Sequence, residues 1–300
     1  MTTVLLVNPA AGRGRGARVA AEALRAARRA WPDVECWRTA GPGDGVRLAA
    51  EAAAAGVQRV VVVGGDGSVH EAANGLLAAG RPDLPPLGVV PVGTGNDFAR
   101  AVGTSRLRPA TAIAALAAGR VARFDAGRAG DEWFVNSMGI GFDADTARRA
   151  NRLRRLKGFA AYIVAVAQTL ADIRMIRITA AWDGGRHEGE ALLIELGNNG
   201  STGGGFRLVP DARCDDGQLD LCLITSRGFR GALAKLPFVL VARHAGRRDV
   251  TLARTTFLDL QAHAEELVAH LDGEIRAYRP AALRVDVVPA CLPVIVASRP

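Results

Sequence analysis

Val60, Val61, Val62 and Val63 run without a break into Gly64-Gly65-Asp66-Gly67-Ser68, and residues 69–77 then supply valine, alanines, leucines and Glu71. Four consecutive β-branched residues read as a fully buried strand, and the residues beyond the turn suit the start of a helix. A strand that enters a helix through a glycine-rich turn is a phosphate site on physical grounds. Small residues let backbone N–H groups approach an anion, and the helix N-terminus favours negative charge. An aspartate in the middle of that turn would repel a bare phosphate. It makes sense beside Mg²⁺, beside the metal of a nucleotide, or against a hydroxyl, so the turn reads as built for a metal-nucleotide.

The same alternation recurs on either side. Strands are predicted at residues 4–7, 34–39, 60–63 and 87–91, with helices at 17–30, 45–55, 69–79 and 109–118. Strands alternating with helices of this length imply a parallel sheet joined by right-handed crossovers, with ligand loops at the carboxyl ends of the strands. After residue 121 the texture changes. Short strand-like runs at 123–127, 132–138, 176–182, 191–197, 219–225, 256–260, 267–271 and 283–288 are separated by Asp, Gly and Asn, and one helix at about 146–172 interrupts them. The expected fold is an α/β N-terminal domain with a parallel sheet (residues 1–122), then a mostly antiparallel β-sandwich (residues 123–300) whose last strand is free to return to the first domain.

Composition narrows the function. With 49% hydrophobic residues and only 5% aromatics, the cores must be mostly Ala, Val and Leu. A net charge of +8 favours phosphate-bearing ligands, an anionic membrane surface or nucleic acid. Nucleic acid is disfavoured, because aromatics are few and no nucleic-acid module is recognisable. Cys36, Cys214, Cys222 and Cys291 lie far apart with no CxxC pair, as reduced thiols in a cytosolic protein would. Residues 4–7 are too short a run for a signal peptide, and the apolar stretch 158–171 falls short of the roughly 20 residues a membrane span needs. The expected location is cytoplasmic, peripheral to the inner face of the membrane. A homodimer is compatible with the sequence.

Three glycine-rich loops follow predicted strands: residues 8–16, 64–68 and 93–97. Neither a GxxxxGK[ST] loop nor a GxGxxG with a ribose-binding acid is present in the right context, which weakens P-loop and Rossmann readings. Asn8-Pro9 with its Gly/Arg loop, Gly64-Gly65-Asp66-Gly67-Ser68 with Glu71, and Pro91-Val92-Gly93-Thr94-Gly95-Asn96-Asp97-Phe98-Ala99 resemble the catalytic domain of diacylglycerol kinases. That family includes bacterial lipid kinases, sphingosine kinases and ceramide kinases. Later segments are similar to it in order: Asn136-Ser137-Met138-Gly139-Ile140-Gly141-Phe142-Asp143, Gly203-Gly204-Gly205-Phe206 with Pro210-Asp211-Ala212, Asp216-Gly217-Gln218-Leu219-Asp220, and Leu271-Asp272-Gly273-Glu274.

The resemblance implies a first domain like that of NAD kinases and phosphofructokinases, and ATP- and Mg²⁺-dependent phosphorylation of a lipid hydroxyl, diacylglycerol giving phosphatidic acid. It places Asp66 near the phosphates and the metal, makes Glu274 the general base on the lipid hydroxyl, and puts Asp216 in a metal-linked network with nearby backbone carbonyls. Ser68 stands where the family more often has Thr, and a hydroxyl is kept. Nucleotide contacts are expected from Asn8, Gly12, Gly64, Gly65, Gly67, Ser68, Glu71, Gly93, Thr94, Gly95 and Asn96. ATP would lie on the three loops, and the lipid would enter a cleft between the domains.

Each residue also has a purely structural reading. Asp272-Gly273 is a type I′ hairpin signal that would leave Glu274 solvated. Asp66, Asn8, Thr94 and Asn96 could stabilise their own turns, Asp215 and Asp220 could be surface charge, and His70 reads as a surface or capping residue. Arg148, Arg149, Arg152, Arg154, Arg155 and Lys157 form a basic run, with Leu153, Leu156, Ala160, Ile163, Val166 and Leu170 at helical spacing. That helix either rests on anionic lipid or packs on its own sandwich with a solvated basic face; Arg243, His244, Arg247 and Arg248 make a second, weaker patch. The alternatives to diacylglycerol are a sphingoid base or another lipid, and a soluble acceptor as in NAD kinases.

Overall fold

The computed structural model describes residues 2–153, 158–225, 244 and 246–298. Two compact units make up the chain: Met1–Phe124 with Ala290–Pro300, and Asp125–Pro289.

The first unit runs β1 (Thr3–Val7), α1 (Ala11–Ala30), β2 (Val34–Arg38), α2 (Asp44–Ala54), β3 (Arg59–Gly64), α3 (Asp66–Ala78), β4 (Leu87–Pro91), α4 (Asp97–Ala101) and α5 (Pro109–Ala117). Its strands lie in the order β2-β1-β3-β4 and pair in parallel, with Leu5 opposite Val61 and Val61 opposite Gly88. The valine run is as dry as its composition implies: Val60 to Val63 are all 0% exposed. Leu5, Val7, Val61, Val63 and Val90 pack with Ala20, Ala23 and Ala27 of α1 and with Ile113 and Leu116 of α5. The α2–α3 contact is so close at Gly75 that an added Cβ would meet the Val46 carbonyl and, at 2.9 Å, the Ala49 methyl. Because α3 is enclosed on nearly every side, His70 is buried and not, as its position in the sequence implied, a surface residue.

β5 (Arg120–Ala129) leads into the second unit, which continues as β6 (Glu132–Phe134), β7 (Ser137–Gly141), α6 (Phe142–Arg152), α7 (Gly158–Ala171), β8 (Ile176–Trp182), β9 (Gly185–Ala191), β10 (Leu193–Gly197), β11 (Leu219–Ile224), β12 (Val250–Thr255), β13 (Phe257–Ala262), β14 (Leu267–Leu271), β15 (Glu274–Tyr278) and β16 (Ala282–Val296). The last residues of β16 belong to the first unit, where Val294 runs parallel to Leu87 of β4. One layer of the sandwich is the antiparallel sheet β12-β11-β10-β7-β14-β15, and the other contains β13, β8 and β9 with the start of β16. Their inner faces meet through Met138, Ile140, Ile194, Leu196, Leu221 and Leu271 on one side, and Ile178, Trp182, Leu258, Leu260 and Val285 on the other.

The outer face of the six-stranded sheet is also covered. Leu193, Cys222 and Ile224 pack with Val166 and Leu170 of α7. The single helix expected at 146–172 is two helices. Leu153 (φ −80°, ψ 57°) leaves the helical region and ends α6. The predicted strand 132–138 is likewise split into β6 and β7. Strand β9 (GRHEGEA) carries almost no apolar alternation, and lies at a sheet edge where such a sequence is tolerated.

Candidate active site

The three glycine-rich loops leave adjacent strands, β1, β3 and β4, at their carboxyl ends. Asn8 bridges the first two: its Nδ2 donates to Ser68 Oγ at 2.9 Å, and its Oδ1 accepts the Ala10 N–H at 3.0 Å. The first loop then turns through three left-handed residues, Gly12, Arg13 and Gly14, before α1 becomes regular. A Cβ on Gly12 would collide with the Val92 carbonyl, so the first loop lies directly on the third. Gly65 and Gly93 press backbone to backbone. A Cβ on Gly65 would stand 2.9 Å from the Gly93 Cα, and one on Gly93 would stand 2.6 Å from the Gly65 Cα. Only glycine fits either position, which is what bringing two phosphate-type loops together requires.

Asp66 is the first residue of α3, a helix with no side-chain cap at its N-terminus. Its Oδ1 accepts the Phe98 N–H at 3.2 Å, tying the second loop to α4. Asn96 is left-handed (φ 55°) and donates from Nδ2 to the Gly93 carbonyl at 3.0 Å. Its Oδ1 is buried without a hydrogen-bond partner, an acceptor suited to an amino or hydroxyl group. Thr94 is exposed at the loop tip, and the Gly95 carbonyl accepts from Arg100 at 3.3 Å. Gly67 and Ser68 stay half-exposed in the first turn of α3. Glu71 has structural work, since its two oxygens accept the N–H groups of Gly43 at 2.8 Å and Gly45 at 3.0 Å, fixing the start of α2.

In the second unit, Asp272 (φ 51°) and Gly273 (φ 92°) form the two-residue turn between β14 and β15, as the hairpin signal implied. The turn is also fastened from outside. The Asp272 carboxylate accepts the N–H groups of Val135, Asn136 and Ser137 at 3.0, 2.7 and 3.1 Å, and the Gly273 carbonyl accepts from Asn151 Nδ2 at 3.0 Å. Glu274 follows it, exposed, as the first residue of β15. An anchored turn that presents a solvated carboxylate serves both readings of this segment. Asp216 is exposed, and its Oδ1 accepts the Gln218 N–H at 3.2 Å. Burial pushes the Asp220 carboxyl up to about 6; Arg254 opposes this, while Asp216 and Asp211 add to it. Asp220 Oδ2 is buried with no hydrogen-bond partner, and its Oδ1 lies 3.7 Å from Arg254 Nε.

Three further residues were given no role by sequence reasoning, although Asp143 closes the segment 136–143 that resembles the family. Asp143, Glu195 and His270 bring ligand-type atoms within 4.8 Å of one another, all buried. The available signal was Glu195 itself, a charge inside the apolar run 191–196. Of the basic run, Arg148 pairs with Asp145 at 2.6 Å and Arg149 with Asp172 at 2.9 Å; Arg154, Arg155, Leu156 and Lys157 lie outside the described residues, as does Arg243. His244 is buried against the Leu208 carbonyl at 2.7 Å and makes no surface patch. Among the described residues no helix is long and apolar enough to cross a membrane.

Known proteins resemble this chain in both halves. Residues 2–129 match the diacylglycerol kinase catalytic domain, and residues 136–296 match the YegS C-terminal NAD kinase beta sandwich-like domain. A "Diacylglycerol kinase" of Mycobacterium tuberculosis is 30% identical over 296 residues, covering 97% of this chain and 93% of that protein. A Pseudomonas aeruginosa protein described as "Probable lipid kinase YegS-like" is 36% identical over 253 residues, covering 83% and 80%. A "Diacylglycerol kinase" of Bacillus subtilis is 28% identical over 277 residues, covering 92% and 90%. A crystal structure of a diacylglycerol kinase from Bacillus anthracis superposes with a TM-score of 0.74 at 23% identity, over 98% of this chain and 96% of that one, a likeness of fold. Matched in both halves and along nearly its whole length, the chain belongs to the diacylglycerol kinase family, with a catalytic domain of that type followed by a YegS-type β-sandwich.

Proposed function

We propose that this protein is an ATP-dependent lipid kinase that transfers the γ-phosphoryl group of ATP to a lipid hydroxyl, with diacylglycerol as acceptor and phosphatidic acid as product. The observation that carries the reading is the convergence of three glycine loops at the ends of β1, β3 and β4, with Gly65 and Gly93 in backbone contact and Asp66 at the uncapped start of α3. Such a surface presents backbone N–H groups and one carboxylate, the combination that holds a metal-bound polyphosphate. Gly12, Gly64, Gly65, Gly67, Gly93 and Gly95 would cradle the phosphates, and Asn8, Ser68, Thr94 and Asn96 would contact the nucleotide. Glu71 would act indirectly, by fixing the segment before α2.

Mg²⁺ is bound in kinases by one or two carboxylates together with phosphate oxygens and water, and supplies charge neutralisation on the transferring group. Asp66 would hold the nucleotide's ion, and Asp216 a second one. Glu274 would take the proton from the acceptor hydroxyl as that oxygen bonds to the γ-phosphorus and the bond to the β-phosphate bridging oxygen breaks. General-base help of this kind is worth about 10²–10⁴-fold. The net charge of +8 would hold the protein at the anionic inner face of the membrane.

Incubating the purified protein with labelled ATP, Mg²⁺ and a total lipid extract tests the reading. Label partitioning into organic solvent, with phosphatidic acid identified by mass spectrometry, is the expected result. A phosphorylated sphingoid base would correct the acceptor alone, whereas label found only on NAD or a sugar would overturn the lipid reading.

A further inference from the structure

One row of side chains crosses the outer face of the six-stranded sheet. Cys222 of β11 stands opposite Glu195 of β10, Glu195 opposite Gly139 of β7, and Gly139 opposite His270 of β14. Neighbours in a row across a sheet point to the same face, so the glycine leaves a notch between a glutamate and a histidine. Asp143, near the start of α6, fills it. A Cβ on Gly139 would collide with Asp143 Oδ2 and His270 Nε2 and stand 2.7 Å from Glu195 Oε2. All three polar residues are nearly inaccessible: Asp143 and His270 are 3% exposed and Glu195 is 0%.

The two ring nitrogens of His270 face different partners. Nε2 is hydrogen-bonded to Asp143 Oδ2, and Nδ1 accepts the Gly273 N–H at 3.3 Å. A backbone N–H can only donate, so Nδ1 must be bare and the ring proton must sit on Nε2. This separates two uses of the cluster. A histidine that binds a metal through Nε2 carries its proton on Nδ1 and donates it onward, but here Nδ1 meets a donor. The cluster therefore does not suit a metal ion, although its three ligand atoms are close enough for one.

We propose that His270, oriented by Asp143, is a positioning residue for the turn that presents Glu274, a role that rests on the reading of Glu274 as the base. Gly273 immediately precedes Glu274, so its N–H bond to the imidazole sets the direction in which β15 leaves the turn. Asp143 holds the imidazole in the one tautomer able to accept that bond. Glu195 closes the far side of the notch, with Oε2 3.8 Å from Nε2.

Two substitutions divide the role of the ring. His270→Asn keeps an acceptor near the Nδ1 position and loses the bond to Asp143, whereas His270→Gln keeps a donor near Nε2 and loses the acceptor for Gly273. We expect His270→Gln to lower kcat by about 10- to 100-fold with KM for ATP unchanged, the scale of a displaced catalytic group, and His270→Asn to keep most of kcat. The wild-type protein supplies a readout that needs neither variant nor activity: nitrogen NMR of the labelled histidine at neutral pH should show Nε2 protonated and Nδ1 bare. A proton on Nδ1, equal loss of kcat in both variants, or a stoichiometric transition metal in the purified protein would each overturn the proposal. If the wild type phosphorylates no lipid, the kinase reading falls alone, and the ring tautomer still decides the positioning.

Discussion

The places that Asp66 and Glu274 take in the fold were legible in the sequence because each sits in a short local motif whose geometry the chain itself dictates. A valine strand running into Gly-Gly-Asp-Gly implies a turn into a helix, and the helix begins at Asp66 itself and not at residue 69, where the sequence placed its start. Asp272-Gly273 likewise forms its own hairpin turn. Asp143, Glu195 and His270 were not legible, because their meeting depends on the register of β7, β10 and β14, set by pairings between distant segments. His70 was misread for a related reason: α3 is buried along most of its length, which its local sequence does not reveal. Asp66→Asn keeps the side chain's size and the acceptor for Phe98, so the fold should persist with an unchanged melting temperature. Phosphoryl transfer should fall by about 10²–10³-fold or more, the scale of losing one electrostatic stabiliser of the transition state. Turnover close to wild type would remove Asp66 from the chemistry.

Elements with strong periodicity were read closely: β4, β8 and β14 have the bounds the sequence implied, and α5 differs by one residue. The misses have physical causes. β9 is an edge strand without apolar alternation, and the helix of 146–172 is two because Leu153 departs from helical geometry. The outer face of the six-stranded sheet carries a pH dependence. Burial, with the Asp143 charge, pushes the Glu195 carboxyl well above its usual range, and the Ser137 and Thr202 hydroxyls only partly oppose this. The titratable groups facing it are Asp143 of α6, His270 of β14 and the Cys222 thiol of β11, which burial also raises. Below its unfolded pKa near 4.5 Glu195 is protonated in both states and costs nothing. As pH rises the unfolded state sheds its proton first, so stability contributed by this group is lost upward until the folded pKa is reached. Glu195→Gln has the shape of the protonated acid. Its melting temperature should fall less than that of wild type between acidic and neutral pH, by at least about 2–4 °C, the shift expected of ~1 kcal/mol. Parallel melting curves for the two proteins across that range would show that Glu195 folds as an ordinary carboxylate.

For the whole molecule, charge and the separation of the two units bear on function. The net charge of +8 predicts binding to vesicles that contain anionic lipid, weakening as salt rises. Arg152 is exposed, whereas Arg149 is already paired with Asp172 at 2.9 Å. Arg152→Glu should therefore weaken binding by about 1–2 kcal/mol at low salt, roughly what ~1 kcal/mol per charge allows. Vesicle partitioning that ignores both this change and salt would leave the basic helix a solvated face. The central claim is a division of labour, with the nucleotide held by loops of the first unit and the proton taken by Glu274 of the second. The most direct test measures ATP affinity and the rate of phosphoryl transfer to diacylglycerol for Glu274→Gln beside the wild type. The account predicts an unchanged ATP dissociation constant and a kcat lower by about 10²–10⁴-fold, the mark of an interaction made only in the transition state. A variant that loses ATP affinity and melts early, or one that turns over like the wild type, would contradict it.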